Sequence, residues 1–317
     1  MGNKVLVTGA GGFIGSHLTE TLLQEGHEVR ALVHYNSRSD WGWLQPDEYV
    51  EVMAGDIRDP ELCIKASKGV DAVFNLAALI AIPYSYQAVH SYAATNITGT
   101  VNLLNASLFN GVSKFIQMST SEVYGTAKYV PIDENHPLQP QSPYSATKIG
   151  SDAIAMSYYN TFELPVTIAR PFNTYGPRQS ARAIIPAVLV QLLSGANAIK
   201  LGDVTPTRDF NYVTDTCASL VKLSENSNAE GEIVNIGSNT EISVLGVVQE
   251  MMRQIGVDVP IEVDNQRIRP AGSEVHRLVC ENTKMKKYIG NMQQTKISEG
   301  IRRTIEWFKI EENLKKY

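Results

Sequence analysis

Between residues 118 and 148 the chain gathers side chains that can move protons at an alcohol or a ketone. An apolar run ending at Met118 is followed by Ser119-Thr120-Ser121-Glu122-Val123-Tyr124-Gly125. If that run is a strand of a doubly wound sheet, hydroxyls and a carboxylate stand at its carboxyl end, where such sheets hold their ligands. Farther on, Tyr144-Ser145-Ala146-Thr147-Lys148 enters a stretch without Pro from Ala146 to Tyr158, and Ser142-Pro143 is suited to start a helix there. Residues four apart share a helix face, so the Lys148 ammonium lies near the Tyr144 phenol. A neighbouring cation favours tyrosinate, which makes Tyr144 a base for a hydroxyl proton near neutral pH.

A second chemical feature stands at the start of the chain. Thr8-Gly9-Ala10-Gly11-Gly12-Phe13-Ile14-Gly15 follows Val5-Leu6-Val7 and opens a helical pattern carrying Leu18, Leu22 and Leu23. Strand, glycine turn and helix in that order let the backbone around Gly9, Gly12, Phe13, Ile14 and Gly15 approach a pyrophosphate, with the positive helix end toward it. The natural ligand is a dinucleotide. An NAD site ordinarily carries an acid at the end of the second strand to hold the ribose 2′-hydroxyl. Here Val33 stands at that position, and His34, Ser37 and Arg38 are suited to a 2′-phosphate, which favours NADP over NAD.

These groups need a scaffold, and the chain supplies a regular one. Strand-like segments at Glu28 to Val33, Tyr49 to Ala54, Asp71 to Ala77, Lys114 to Met118 and Val166 to Ala169 alternate with helical ones, including a long stretch from Gln87 to Asn110. That alternation predicts an α/β fold, a Rossmann-type doubly wound parallel sheet covered on both faces. Beyond Pro171 the pattern loosens toward a smaller C-terminal α/β substrate-binding domain, closing with an amphipathic helix from about Ser298 to Glu312. The expected division is a dinucleotide-binding domain over 1–172 and a second domain over 173–317. The two interleave, because Glu232 to Ile236, within a returning segment at about 212–237, reads as a buried strand of the first sheet. A chain of 317 residues has room for both.

Composition excludes other classes. A net charge of -5 gives no basic face for nucleic acid. Cys63, Cys217 and Cys280 are far apart without a CxxC, and the 6 His show no paired spacing, so neither a disulfide framework nor a metal site is expected. The first strand begins by residue 4, leaving no room for a signal peptide, and position 6 is Leu where a myristoylation signal needs Ser or Thr. Ala183 to Leu193 is too short to span a bilayer and contains Pro186. The expectation is a cytoplasmic protein with no membrane partner. Helical segments Gln87 to Asn110 and Ser145 to Asn160 carry apolar residues on more than one face, which suggests a homodimer seam.

Taken together, Gly9/Gly12/Gly15, Asn75-Leu76-Ala77-Ala78, Thr120-Ser121-Glu122-Val123-Tyr124-Gly125 and Tyr144-x-x-x-Lys148 resemble the extended short-chain dehydrogenase/reductase family over nearly the whole chain. Asn96 in Thr95-Asn96-Ile97-Thr98-Gly99-Thr100, the run Arg170 to Arg178, and Arg208-Asp209-Phe210-Asn211-Tyr212-Val213 resemble its nucleotide-sugar branch. The resemblance implies a nicotinamide cofactor, held by the glycine turn, Leu76, Ala77, Ala78, Asn96 and Lys148, with Asp56 and Ile57 on the adenine. It implies a nucleoside diphosphate sugar as substrate, with Arg208 and Arg269 on the pyrophosphate and Asn173 on the sugar or pyrophosphate. Arg178 and Arg182 are further candidates there.

Within that branch Glu122 sets the reaction class, because Thr-Ser-Glu resembles the GDP-mannose 4,6-dehydratases. Once C4 of a hexose is a ketone its C5 proton becomes acidic, and a carboxylate base beside it starts elimination of the C6 hydroxyl, a contribution of roughly 10²–10⁴-fold. In the implied cycle Tyr144 takes the O4 proton, Thr120 hydrogen-bonds O4, Lys148 holds the cofactor ribose, Glu122 removes the C5 proton, and Ser121 or Glu122 protonates the leaving hydroxyl. The product is a 4-keto-6-deoxy sugar. Gly202 to Phe210 together with Pro270 to Val275 resemble the N-acetylglucosamine 4,6-dehydratases of legionaminic-acid-type pathways, which points to GDP- or UDP-N-acetylglucosamine. The rival readings are a UDP-glucuronate decarboxylase, a nucleotide-sugar 4-epimerase and a cofactor-sensing regulator.

Overall fold

The computed structural model describes residues 2–38, 40–45, 47–264 and 275–317. In chain order its elements are β1 (Lys4–Thr8), α1 (Phe13–Gln24), β2 (Glu28–His34), β3 (Val50–Gly55), α2 (Pro60–Ser67), β4 (Ala72–Asn75), α3 (Ile82–Ser85), α4 (Val89–Tyr92), a π-turn (Ala93–Thr98), α5 (Gly99–Asn110), β5 (Lys114–Met118), a 3₁₀ turn (Ser121–Tyr124), α6 (Pro143–Phe162) and β6 (Val166–Pro171). Then follow β7 (Asn173–Tyr175), α7 (Ile184–Leu193), β8 (Ile199–Leu201), β9 (Thr207–Arg208), β10 (Phe210–Tyr212), α8 (Val213–Glu225), β11 (Ile233–Ile236), β12 (Ile242–Ser243), α9 (Val244–Ile255), β13 (Ile261–Val263), β14 (Arg277–Leu278), α10 (Thr283–Ile289), α11 (Ile297–Phe308) and α12 (Glu311–Leu314).

Seven strands form one sheet in the order β11-β6-β5-β4-β1-β2-β3, and every pairing is parallel. Its strands are apolar because both faces are covered. Leu18 and Leu22 of α1, Cys217 and Leu220 of α8 and Met285 of α10 pack one face. Leu103 and Leu104 of α5, Ala155 of α6 and Cys63 of α2 pack the other. After β1 the chain runs out to β2 and β3, then returns to place β4 on β1's other side. That reversal opens a crevice at the carboxyl ends of β1 and β4, where ligands bind in sheets of this kind. β11 pairs with β6 at the far edge, Val234 opposite Ala169.

Three small sheets, β10-β7, β12-β9-β14 and β13-β8, accompany α7, α9 and α11 around a separate core that includes Val188, Leu189, Val247, Met251, Ile301 and Phe308.

Local sequence explains the helix ends. Asp59 caps α2 by accepting from the N–H groups of Glu61 and Leu62, with Pro60 at the first position. Ser142 and Ser145 form a capping box at the start of α6, followed by Pro143. Gly111 and Gly256 end α5 and α9 in the left-handed conformation.

Three expectations need adjustment. β4 stops at Asn75, short of Ala77, because the Thr8 hydroxyl draws in the N–H groups of Leu76 and Ala77 at 3.1 and 2.9 Å and turns the chain out of the sheet. The helix expected over Gln87 to Asn110 is interrupted by the π-turn, a widening that single-turn bulges often introduce at functional sites. The closing helix ends at Phe308 instead of Glu312, and α12 restarts separately.

Candidate active site

The sheet delivers the chemistry to one place. Ser119 is still tied to it by N–H donation to Ala169 at 2.7 Å, and Thr120 then caps the 3₁₀ turn, its Oγ accepting from Glu122 N–H at 3.2 Å. That tight turn lifts Ser121 and Glu122 off the strand end toward α6, whose first two turns carry Tyr144 and Lys148. Thr120 hydrogen-bonds the Tyr144 phenol. Tyr92 stands edge-on to the same ring, with centroids 6.3 Å apart.

The electrostatics differ from the expectation based on spacing. Burial pushes the Tyr144 phenol up, Thr120 pulls it down, and Glu122, Tyr92 and Asp152 push it up further. The Lys148 ammonium points to the Met118 carbonyl, and burial lowers it to about 8, opposed by Asp152. The i, i+4 reasoning counted a charge and left out desolvation, which dominates for groups this deeply buried.

Behind the pair lies a network that sequence reasoning missed. Asp152, one turn beyond Lys148 on α6, accepts from Ser119 Oγ at 2.7 Å and from Arg170 Nε at 3.1 Å. Arg170 donates onward to Tyr124 Oη at 3.1 Å, and Tyr124 donates to Asn235 Oδ1 of β11 at 2.6 Å. The position of Asp152, four residues past Lys148, was the available signal.

The cofactor cradle has the shape expected of a dinucleotide site. Gly9 has φ of 69° and turns the chain sharply after β1. A Cβ on Gly15 would sit 2.1 Å from the Gly9 carbonyl oxygen, so only glycine lets α1 pack this close to the turn. The N-cap of α1 is Gly12, with no side-chain cap hydrogen bond and no acid in the first turn, leaving the N–H groups at Phe13 and Ile14 for an anion. Leu76, Ala77 and Ala78 follow the end of β4, the first two held by the Thr8 hydroxyl at the end of β1. These residues fit a nicotinamide dinucleotide.

Asn96 is buried beside the loop after β4. From the π-turn its Oδ1 accepts from Leu79 N–H at 2.8 Å, while its amide donates to Leu79 O and Thr147 Oγ, each at 3.0 Å. With both donors used, it braces the loop after β4 against α6.

At the end of β2, Val33 is buried, while His34, Ser37 and Arg38 are exposed. Asp56 is paired with Arg58 at 2.6 Å and lies 3.6 Å from His34, and Ile57 packs under Gly99. The segment after β2 folds back on the glycine turn through Trp43 N–H and the Gly11 carbonyl at 2.9 Å, a contact without a sequence signal.

On the substrate side, Asn173 sits in β7 with a buried Oδ1 that lacks a partner, as a ligand-facing amide would. Arg208 is buried and donates to the Thr207 carbonyl at 2.9 Å. Arg178 was expected near the diphosphate, but its guanidinium is held 2.7 Å from Glu20 and 3.1 Å from Ser16 Oγ, tying this loop to α1. Arg182 is exposed, and its charge reaches Tyr92. Arg269 lies outside the described residues. Away from this crevice, at the amino ends of the strands, Glu25, His27 and Glu225 bring ligand atoms within 4.8 Å of one another; Glu225 is too distant in sequence for spacing to reveal the group.

Known proteins are similar to this chain in sequence and fold. The family model described as GDP-mannose 4,6 dehydratase matches residues 6–304. A dTDP-glucose 4,6-dehydratase of Streptomyces antibioticus is 33% identical over 313 residues, 96% of this chain and 92% of the relative. Among solved structures, the epimerase Mth375 of Methanothermobacter thermautotrophicus superposes with a TM-score of 0.91 at 28% identity, covering 99% of this chain and 95% of that one. TunA, described as an NAD-dependent NDP-hexosamine 5,6-dehydratase involved in tunicamycin biosynthesis, gives 0.87 at 30% identity, covering 97% and 98%.

Proposed function

The chain belongs to the GDP-mannose 4,6-dehydratase family, and from that premise we propose that it converts a nucleoside diphosphate sugar, GDP- or UDP-N-acetylglucosamine, to the 4-keto-6-deoxy sugar. Glu122 is the observation that carries this reading. Glu122 follows by two residues the Thr120 whose hydroxyl meets the Tyr144 phenol, on a turn that Thr120 caps, so one sugar ring can meet both groups. An epimerase needs only the Tyr144, Thr120 and Lys148 set. A carboxylate beside C5 has work to do only when that proton is removed.

A bound nicotinamide would supply the hydride acceptor for oxidation at C4 and the hydride donor for reduction at C6. Tyr144 takes the proton from the O4 hydroxyl, steadied by the Thr120 hydroxyl. Lys148, protonated below about pH 8, would hold the cofactor ribose. Glu122 takes the C5 proton, and Ser121 or Glu122 gives one to the departing C6 hydroxyl. Asn173, Arg208 and Arg269 are assigned to the sugar and diphosphate, with Arg182 at the rim. The likeness to TunA, described as NAD-dependent, supports a nicotinamide cofactor. NADP is our choice between the two, since no carboxylate replaces Val33 and the exposed His34, Ser37 and Arg38 suit a 2′-phosphate. Retention of NADP over NAD by the purified protein checks that choice.

A nucleotide-sugar 4-epimerase is the second reading, favoured by the likeness to Mth375. Mass spectrometry separates the two. With GDP- or UDP-N-acetylglucosamine, loss of one water without net cofactor reduction supports dehydration. Unchanged mass with C4 inverted by NMR supports epimerisation, and no change with either donor rejects the assigned sugar.

A further inference from the structure

We propose that Asp152 is a positioning residue for the Tyr144–Lys148 pair: anchored by Arg170, its carboxylate fixes the gap between α6 and the Thr120–Glu122 turn and supplies the counter-charge that keeps Lys148 protonated. This rests on the reading of Tyr144 and Lys148 as the redox pair, which dehydratase and epimerase share.

Three observations carry it. Tyr144, Lys148 and Asp152 fall four residues apart on α6 and so occupy one face, with Asp152 3% exposed and Lys148 5% exposed. The Asp152 carboxylate bonds Ser119 Oγ at 2.7 Å, and Ser119 immediately precedes Thr120, so the hydrogen bond pins the strand end that presents the catalytic turn to the helix that carries the base. One carboxylate oxygen is committed to Ser119 and Arg170, while the other, Oδ1, is buried without a hydrogen-bond partner. A buried carboxylate with an uncommitted oxygen is costly unless its charge serves a neighbour. Arg170 pairs with that carboxylate directly, and the same charge acts along α6 on Lys148, raising its ammonium against desolvation.

The charged and titratable groups around the pair are Asp152 on α6 itself, Arg170 from β6 with Tyr124 beyond it, Glu122 from the 3₁₀ turn and Tyr92 from α4. Of these, Asp152 is the one that raises Lys148. Removing its charge therefore lowers the Lys148 titration and draws the alkaline limb of activity toward neutral pH. Removing only the Ser119 tether spoils alignment and leaves the limb in place.

The test compares holoenzyme variants by kcat and KM against pH, and by NMR titration of the Lys148 Cε signal. Asp152→Asn is expected to move the alkaline limb of kcat and the Lys148 midpoint down by about one pH unit, roughly a tenfold loss of rate above the limb, with little change in KM. Asp152→Glu should restore the limb. Ser119→Ala should reduce kcat several-fold at every pH without moving it. If Asp152→Asn fails to fold because Arg170 is left buried and unpaired, the paired change Asp152→Asn with Arg170→Gln replaces it. An unmoved limb and midpoint in the folded variant, with only thermal stability lowered, would overturn the proposal. The NMR midpoint reads Lys148 directly, so a wild type that rejects every sugar donor sinks the substrate assignment while the role of Asp152 is still decided.

Discussion

At the scale of single residues, two carboxylates near one tyrosine divide the labour by location. Glu122 stands on the turn after β5, and Asp152 lies on α6, bonded to Ser119 and Arg170 at the strand ends. Tyr144→Phe is expected to cut turnover by roughly 10²–10⁴-fold, the ordinary worth of a positioned acid–base group, with the bound cofactor retained. Glu122→Gln separates the two chemical stages. Formation of the keto product should fall by a similar factor, while hydride transfer at C4 survives and is read as reduced nicotinamide accumulating on the enzyme after substrate is added. Loss of both signals in Glu122→Gln would reject C5 proton abstraction as its task. The pH dependence follows from Lys148. Burial lowers its ammonium to about 8, so the charge is present below that pH and is lost as pH rises through it. An alkaline limb of kcat/KM near pH 8 is expected. A rate constant that stays flat to the ordinary lysine range would show that Lys148 is not the group titrating.

At the scale of elements, close approach of backbone to backbone decides more than side-chain identity. The glycine turn works because α1 starts almost on top of the β1 end, with the Gly15 position 2.1 Å from the Gly9 carbonyl oxygen once a Cβ is added. Gly15→Ala must push α1 back, at about 1–3 kcal/mol by comparison with overpacked cores. Its measurable consequence is a lowered melting temperature together with loss of the copurifying nicotinamide. A variant as stable and as cofactor-loaded as wild type would refute the close-packing argument. The π-turn belongs to the same scale. Its extra residue aims Asn96 inward, so that one amide spans the loop after β4 and the catalytic helix. Helical periodicity places Asn96 in a helix, whereas its reach across 51 residues to Thr147 exists only after folding.

At the scale of the whole molecule, the two cores are joined by chain that crosses between them more than once. β11 returns to the first sheet, and Trp43 from the segment beside the glycine turn meets Trp307 of α11 with ring centroids 5.3 Å apart. On the outer surface of α5 and α6, Leu108, Phe109 and Phe162 are exposed, Phe109 at 77%. That apolar face is expected to seat a second copy of the chain, and sedimentation of wild type against Phe109→Glu checks it. A dimer that the charge dissociates supports the seam, and a monomeric wild type removes it. Sequence alone determined the strand–turn–helix cradle, the order of the sheet-forming segments and the Thr-Ser-Glu and Tyr-x-x-x-Lys groups, because alternation, caps and i, i+4 spacing are local and every residue carries its share of them. Tertiary structure decided which charges those groups feel. Burial reversed the expected direction for Tyr144, Glu20 claimed Arg178, and Asp152 and Arg170 came together from α6 and β6, since desolvation and ion pairing depend on neighbours that the chain order leaves far apart.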